Sequence, residues 1–193
     1  MRTVAAIDES VGAVVAKLEE QGALDDTLVI YTSDQGMFLG EHDYQDKRWC
    51  YEESLRTPFM VRYPRSIAAG RCEPALMSSI DIAPTLLDFA GVEIPSSMQG
   101  RSLMPVLTGQ PDARQQDAVY FRYWMHRAHR HDNPAHYGIR TPRWKLIFFY
   151  GLPLDAAGAE PQPSPAGWEL YDLQNDPREL HNLYDDPQYR DVI

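Results

Sequence analysis

Only two cysteines, Cys50 and Cys72, occur in this chain of 193 residues, too few for a disulfide framework or a tetrahedral zinc site. No apolar run is long enough to span a bilayer, so no transmembrane segment is expected. The first residues, Met1-Arg2-Thr3, pass straight into a helical pattern, and no secretory signal is expected there. Basic charge is also short: the formal net charge is −10. That balance argues against general nucleic-acid binding, and no DNA- or RNA-binding signature is present. Internal repeats and low-complexity tracts are absent.

The apolar share, with eleven tyrosines and four tryptophans, is that of a globular protein. The length allows one ordinary core, or a core with a small satellite. The acidity is uneven. Arg122, Arg127, Arg130, Arg140, Arg143 and Lys145 cluster with four histidines, opposed only by Asp132. Such a region is either a seat for an anionic ligand or a solvated basic face.

Val4, Ile7, Val11, Val14, Val15 and Leu18 fall at helical spacing, and Gly22 supplies a stop. A polar connection then leads into Leu28–Thr32, an apolar run expected to be a strand buried on both faces, with parallel neighbours. Trp49–Leu55 is expected as a short helix and Phe59–Tyr63 as a strand. Asp81 is expected to cap a helix through Ala90, ended by Gly91. Residues 95–116 form a connector rich in Pro and Gly. Beyond it, Ala118–Tyr123, Trp144–Tyr150 and Trp168–Leu173 are expected as strands of a small antiparallel sheet. The fold class is therefore α/β. Residues 1–112 form a unit of sheet with flanking helices, and residues 113–193 form a small C-terminal α+β subdomain.

Chemistry concentrates just after the first strand. Asp34 and Gln35 stand at its carboxyl end, where open α/β sheets bind ligands. Oxygen donors there suit a hard cation such as Ca²⁺ or Mg²⁺. His42 and Lys47 follow within one long loop, and a lysine can neutralise a bound oxyanion. Taken alone, the same residues are equally compatible with an Asp-containing turn, a packing histidine and a charged helix start.

The motifs resemble the sulfatase family of the alkaline-phosphatase-like superfamily. They are Tyr31-Thr32-Ser33-Asp34-Gln35-Gly36, Leu39-Gly40-Glu41-His42, Asp46-Lys47-Arg48 and the run Tyr51 to Pro58. Asp81-Ile82-Ala83-Pro84-Thr85, Gly100-Arg101-Ser102-Leu103, Tyr137 to Ile147 and Glu169-Leu170-Tyr171-Asp172-Leu173 with Asp176-Pro177 continue the series in the family's order. The set is most similar to bacterial sugar sulfatases of the glucosamine-6-sulfatase type. The resemblance implies an alkaline-phosphatase-like sheet and sulfuric ester hydrolysis on a sulfated saccharide. It implies Asp34 and Gln35 as ligands of a divalent cation, usually Ca²⁺, although many members carry Asn or His in place of Gln35. It further implies Lys47 on the sulfate group, His42 and His136 near the sugar, and a periplasmic or secreted parent.

The family's nucleophile is a formylglycine made from the first residue of Cys/Ser-x-Pro-x-Arg. Cys72-Glu73-Pro74-Ala75-Leu76 supplies the proline but lacks the arginine, and Cys50 has neither. The expectation is a C-terminal portion of a sulfatase, inactive alone, with formylglycine in an N-terminal part. Two other readings stand beside it: a phosphate or phosphonate ester hydrolase of the same superfamily, and a non-catalytic domain that binds anionic saccharide. The sequence leaves the oligomeric state open.

Overall fold

The structure is a computed structural model of the chain and describes every residue except Met1, Asp112, Arg114 and Gln115. The expected boundary between residues 112 and 113 therefore falls partly outside the described residues.

The first helix, α1 (Arg2–Glu20), ends where the sequence pattern places its stop. Gly22 has φ +66°. The Ala23 N–H donates to Leu18 O and the Gly22 N–H to Glu19 O. This paired arrangement satisfies carbonyls that the last turn leaves free. Gly91 repeats it after α3 (Ile82–Phe89), where Val92 N–H donates to Leu87 O and Gly91 N–H to Asp88 O. Asp81 does not cap α3 as expected. Its carboxylate accepts from Ser78 N and Arg101 N, at 2.7 and 2.8 Å, and so ties the connector to the start of α3.

Strand β1 (Val29–Thr32) pairs antiparallel with β4 (Phe59–Arg62), Ile30 opposite Val61. The parallel neighbours expected for β1 are not among the described residues. All four β1 residues are also only half-buried, so the strand is not enclosed on both faces by this chain. Between β1 and β4 lie the two-residue strands β2 (Phe38–Leu39) and β3 (Gln45–Asp46), which pair with each other, and the short helix α2 (Glu52–Leu55). One turn of helix, α4 (Met104–Leu107), interrupts the expected connector.

A four-stranded antiparallel sheet closes the chain: β5 (Val119–Tyr123), β6 (His136–Arg140), β7 (Trp144–Phe149) and β8 (Gly167–Asp172), in that spatial order. The expected strands are present, and β6 lies between two of them. Burial alternates along β7, with Lys145, Ile147 and Phe149 on the inner face, as a sheet covered on one side requires. Phe38, Cys50 and Tyr51 pack with Ile147, Phe149, Tyr171 and Leu173 as one core. The loop that follows β1 is thus clamped onto the inner face of the sheet. The mixture of helices and sheets is an α/β fold.

Candidate active site

The end of β1 is a turn held by short-range polar bonds. Ser33 Oγ donates to Gln35 O at 2.8 Å, and Gly36 N–H donates to Ser54 O at 2.7 Å. A Cβ on Gly36 would stand 2.0 Å from Glu53 O, so only glycine lets the turn approach the backbone of α2 this closely. Asp34 and Gln35 face an open cavity of about 590 Å³. Asp34 accepts a long contact from Ser33 Oγ at 3.4 Å, and its carboxylate is exposed.

Lys47 and Arg48 line the same cavity from the loop that follows β3. Lys47 Nζ is 3.9 Å from Asp46 Oδ1, and Arg48 Nη2 is 3.6 Å from Asp46 Oδ2. Asp46 and Arg48 both adopt positive φ, +74° and +104°, a conformation that L residues hold only where surrounding contacts enforce it. Arg48 N–H donates to Ser54 Oγ at 3.2 Å. His131 Nε2 reaches Asp46 Oδ2 from the opposite loop, at 3.6 Å. From the β5 edge, Arg122, Tyr123, Trp124 and, further on, His129 complete the wall. The Nε of Arg48 and the hydroxyl of Tyr123 are buried without a hydrogen-bond partner among the described residues. The cavity lining therefore holds Lys47, Arg48 and Arg122 beside the Asp34–Gln35 pair.

The two histidines expected at the sugar lie off this wall. His42, at φ +53°, stacks on Tyr51 with ring centroids 4.6 Å apart, and its Nε2 is 3.6 Å from Glu53 Oε2. Tyr51 in turn donates to Glu169 Oε2 at 2.9 Å. His136 has no exposed surface and sits among Trp49, Phe121, Tyr123 and Phe149. Burial holds it neutral, with its pKa pushed down to about 4. The ring is enclosed by these aromatic neighbours, and its Nε2 is buried without a hydrogen-bond partner among the described residues.

The basic stretch is largely spent on internal pairing. Arg127 pairs with Asp132 and Arg143 with Asp172, while Arg140 and Lys145 both reach Glu52. Arg122, at the edge of the cavity, lies over the Tyr150 ring, 5.8 Å from its centroid. Asp46 and Arg48 flank Lys47 in the Asp46-Lys47-Arg48 motif, which is the signal in the sequence for both.

A carboxylate–amide pair at a strand end thus shares an open cavity with a lysine. Residues 40–193 match the family model for N-sulphoglucosamine sulphohydrolase, C-terminal, and the chain belongs to the sulfatase family. It is 46% identical over 191 residues to the N-acetylglucosamine-6-O-sulfatase of Bacteroides thetaiotaomicron, covering 98% of this chain and 32% of that protein. A solved structure of a protein in complex with its substrate D-glucosamine-2-N,6-O-disulfate superposes with a TM-score of 0.83 at 44% identity, covering 98% of this chain and 36% of the other. The phosphonate monoester hydrolase of Agrobacterium radiobacter superposes with a TM-score of 0.79 at 30% identity, covering 98% and 37%. The chain thus spans about a third of the length of the relatives it matches.

Proposed function

We propose that the protein carrying this chain hydrolyses a sulfate ester of an amino sugar, and that this chain supplies the cation-binding turn and the anion-contacting lysine. The observation that carries the reading is that the adjacent pair Asp34 and Gln35 and the more distant Lys47 line one cavity. The similarity to an N-acetylglucosamine-6-O-sulfatase supports an amino sugar as the substrate class.

Asp34 and Gln35 fit a divalent cation. Both offer oxygen to the cavity, and the Gln35 amide makes no hydrogen bond among the described residues. Two donors fall short of the roughly six to eight that Ca²⁺ takes. No group of three or more His, Cys, Asp or Glu able to hold a metal occurs among the described residues, so further ligands belong elsewhere in the protein. A cation held there supplies positive charge against the sulfate oxygens. Lys47 places its ammonium on the same wall and offsets the charge that grows as the S–O bond lengthens. Arg48 and Arg122 add donors for anionic or hydroxyl groups of the substrate, and the exposed indole of Trp124 offers an apolar face to a sugar ring. The formylglycine that attacks sulfur has no precursor motif in this sequence.

The test compares substrates on the protein that carries this chain. Release of sulfate from glucosamine-6-sulfate, exceeding release of phosphonate from an aryl phosphonate ester, is the expected result. Preference for the phosphonate would transfer the assignment to the hydrolase type found in Agrobacterium. Binding of the sulfated sugar with no turnover of either ester would leave a saccharide-binding module.

A further inference from the structure

Ser54 touches both halves of the candidate site at once. Its carbonyl accepts the Gly36 N–H at 2.7 Å, behind the turn that carries Asp34 and Gln35. Its hydroxyl accepts the Arg48 N–H at 3.2 Å, immediately after Lys47. Ser54 is 5% exposed, and its own N–H donates to Tyr51 O at 3.0 Å, so it has little freedom to move. The lysine turn is not relaxed, since Arg48 stands at φ +104°, and the cation turn is packed closely, since Gly36 leaves no room for a side chain against Glu53 O. Strained backbone persists only where its surroundings over-determine it.

The helix that carries Ser54 is itself anchored. Glu52 N–H donates to Glu179 Oε2 at 2.7 Å, and the Glu52 carboxylate is 2.9 Å from Lys145 Nζ on β7. A continuous line of short contacts thus runs from the four-stranded sheet through α2 to Ser54. There it divides toward the cation turn and toward the lysine turn.

We propose that Ser54 is a positioning residue that fixes the distance between the Asp34–Gln35 turn and Lys47 through its paired backbone and hydroxyl bonds. The proposal rests on the sulfatase reading above. Ser54 touches neither substrate nor cation in this role; it sets where the groups that do so stand. A misplacement of about 1 Å at a catalytic group costs up to about a hundredfold in rate. Losing one of the two bonds, with the other intact, is expected to cost about tenfold in kcat.

The experiment uses the protein that carries this chain and an aryl sulfate. Ser54→Ala keeps the carbonyl bond and removes the hydroxyl bond. Its kcat falls about tenfold with KM nearly unchanged, and Ser54→Thr, which keeps the hydroxyl, restores it. Asn182→Ala serves as the stability control. Asn182 holds the C-terminal segment through bonds with Leu170 N, Tyr184 N and Trp168 O, and its loss lowers Tm while leaving kcat in place. Amide exchange at Arg48 accelerates in Ser54→Ala while exchange at Gly36 does not. Wild-type turnover with an unchanged kcat in Ser54→Ala overturns the positioning role alone. An equal fall of kcat in Asn182→Ala, matched to its loss of Tm, overturns it as well by reducing it to stability. Absence of turnover in the wild type removes the sulfatase reading, and this proposal with it.

Discussion

Lys145 Nζ lies 2.7 Å from Glu179 Oε1, and neither side chain has any exposed surface. The ammonium also stands 2.9 Å from Glu52 Oε1, and Arg140 reaches the other oxygen of Glu52 at 3.3 Å. Burial opposes the charge on Glu52, but Lys145 and Arg140 outweigh it and hold the carboxyl below its usual range. Glu179 is raised instead, because its burial outweighs Lys145. One lysine thus serves two carboxylates, one on α2 and one beyond β8. Charge burial of this kind couples segments distant in sequence without adding much net stability, since desolvation offsets most of the attraction.

Removing the cation is therefore far more damaging than removing the whole network. Lys145→Met leaves the buried Glu179 carboxylate without its cation beside the partly buried Glu52, and loss of one member of a buried pair costs about 3–5 kcal/mol. Urea unfolding should show a lower midpoint with little change in slope. Adding Glu179→Leu to the lysine variant should recover part of the loss. A lysine variant as stable as the wild type would show that the network carries no such coupling.

His136 gives the structure a dependence on pH. Its folded pKa is pushed down to about 4 from an ordinary 6.5, because burial disfavours the imidazolium. The unfolded chain consequently binds more protons between these values, and stability falls as the pH is lowered through that window. The neutral ring's contribution is complete above pH 6.5 and lost by about pH 4, and amounts to roughly 3 kcal/mol. His136→Phe should flatten the denaturation midpoint between pH 7 and pH 4.5. An unchanged slope in that variant would assign the dependence to other groups.

The same histidine shows where the sequence was legible and where it was not. Motif order placed His136 near the site, but only the register of β6 between β5 and β7 reveals that its ring points into the aromatic core. Strand β6 itself has the short, alternating pattern His136-Tyr137-Gly138-Ile139-Arg140, with a glycine that lowers β propensity at its centre. That glycine is required: a Cβ would lie 2.9 Å from Cys50 Sγ. Helices α1 and α3 were easier, because each ends on a glycine at positive φ, Gly22 and Gly91. The antiparallel pairing of β1 with β4 was not legible from apolar composition, which does not carry strand direction. Asp34, Gln35 and Lys47 stood out in the sequence because each belongs to a motif with its own chemistry, and the structure brings all three to one cavity. Ser54 could not, since its role is carried half by its backbone.

Helix α1 leaves an apolar stripe uncovered. Val4 is 70% exposed and Val14 58%, with Ile7 and Val11 between them at 44% and 37%, and α1 has no buried residue. An uncovered stripe of this kind promotes association. Sedimentation of the isolated chain should reveal oligomers or aggregates at micromolar concentration, reduced by placing serine at Val4, Ile7, Val11 and Val14. A well-behaved monomer that binds no apolar dye would count against this expectation.

The isolated chain should turn over no aryl sulfate, with or without added Ca²⁺. Its sequence contains no Cys/Ser-x-Pro-x-Arg from which formylglycine is made, and positioning groups without a nucleophile do not cleave the ester. Turnover abolished by Asp34→Ala would overturn the view that the nucleophile is supplied from outside this chain.

In the protein that carries this chain, Lys47 and Asp34 should fail in different ways. Lys47 faces the cavity, and among the described residues its ammonium has a carboxylate partner only in Asp46, at 3.9 Å, so its charge is available to the sulfate group rather than tied to a strong partner. Its stabilisation grows as negative charge develops, and Lys47→Ala should lower kcat with a smaller effect on KM. Loss of one such group costs about two to three orders of magnitude. Asp34→Ala removes an oxygen donor from the cation turn, so its defect should be partly relieved by raising Ca²⁺, a relief that Lys47→Ala should not show. Steady-state kinetics across a Ca²⁺ series separates the two. An unchanged kcat in Lys47→Ala on every sulfate ester tried would remove the lysine from the reaction, and with it the central assignment of the cavity.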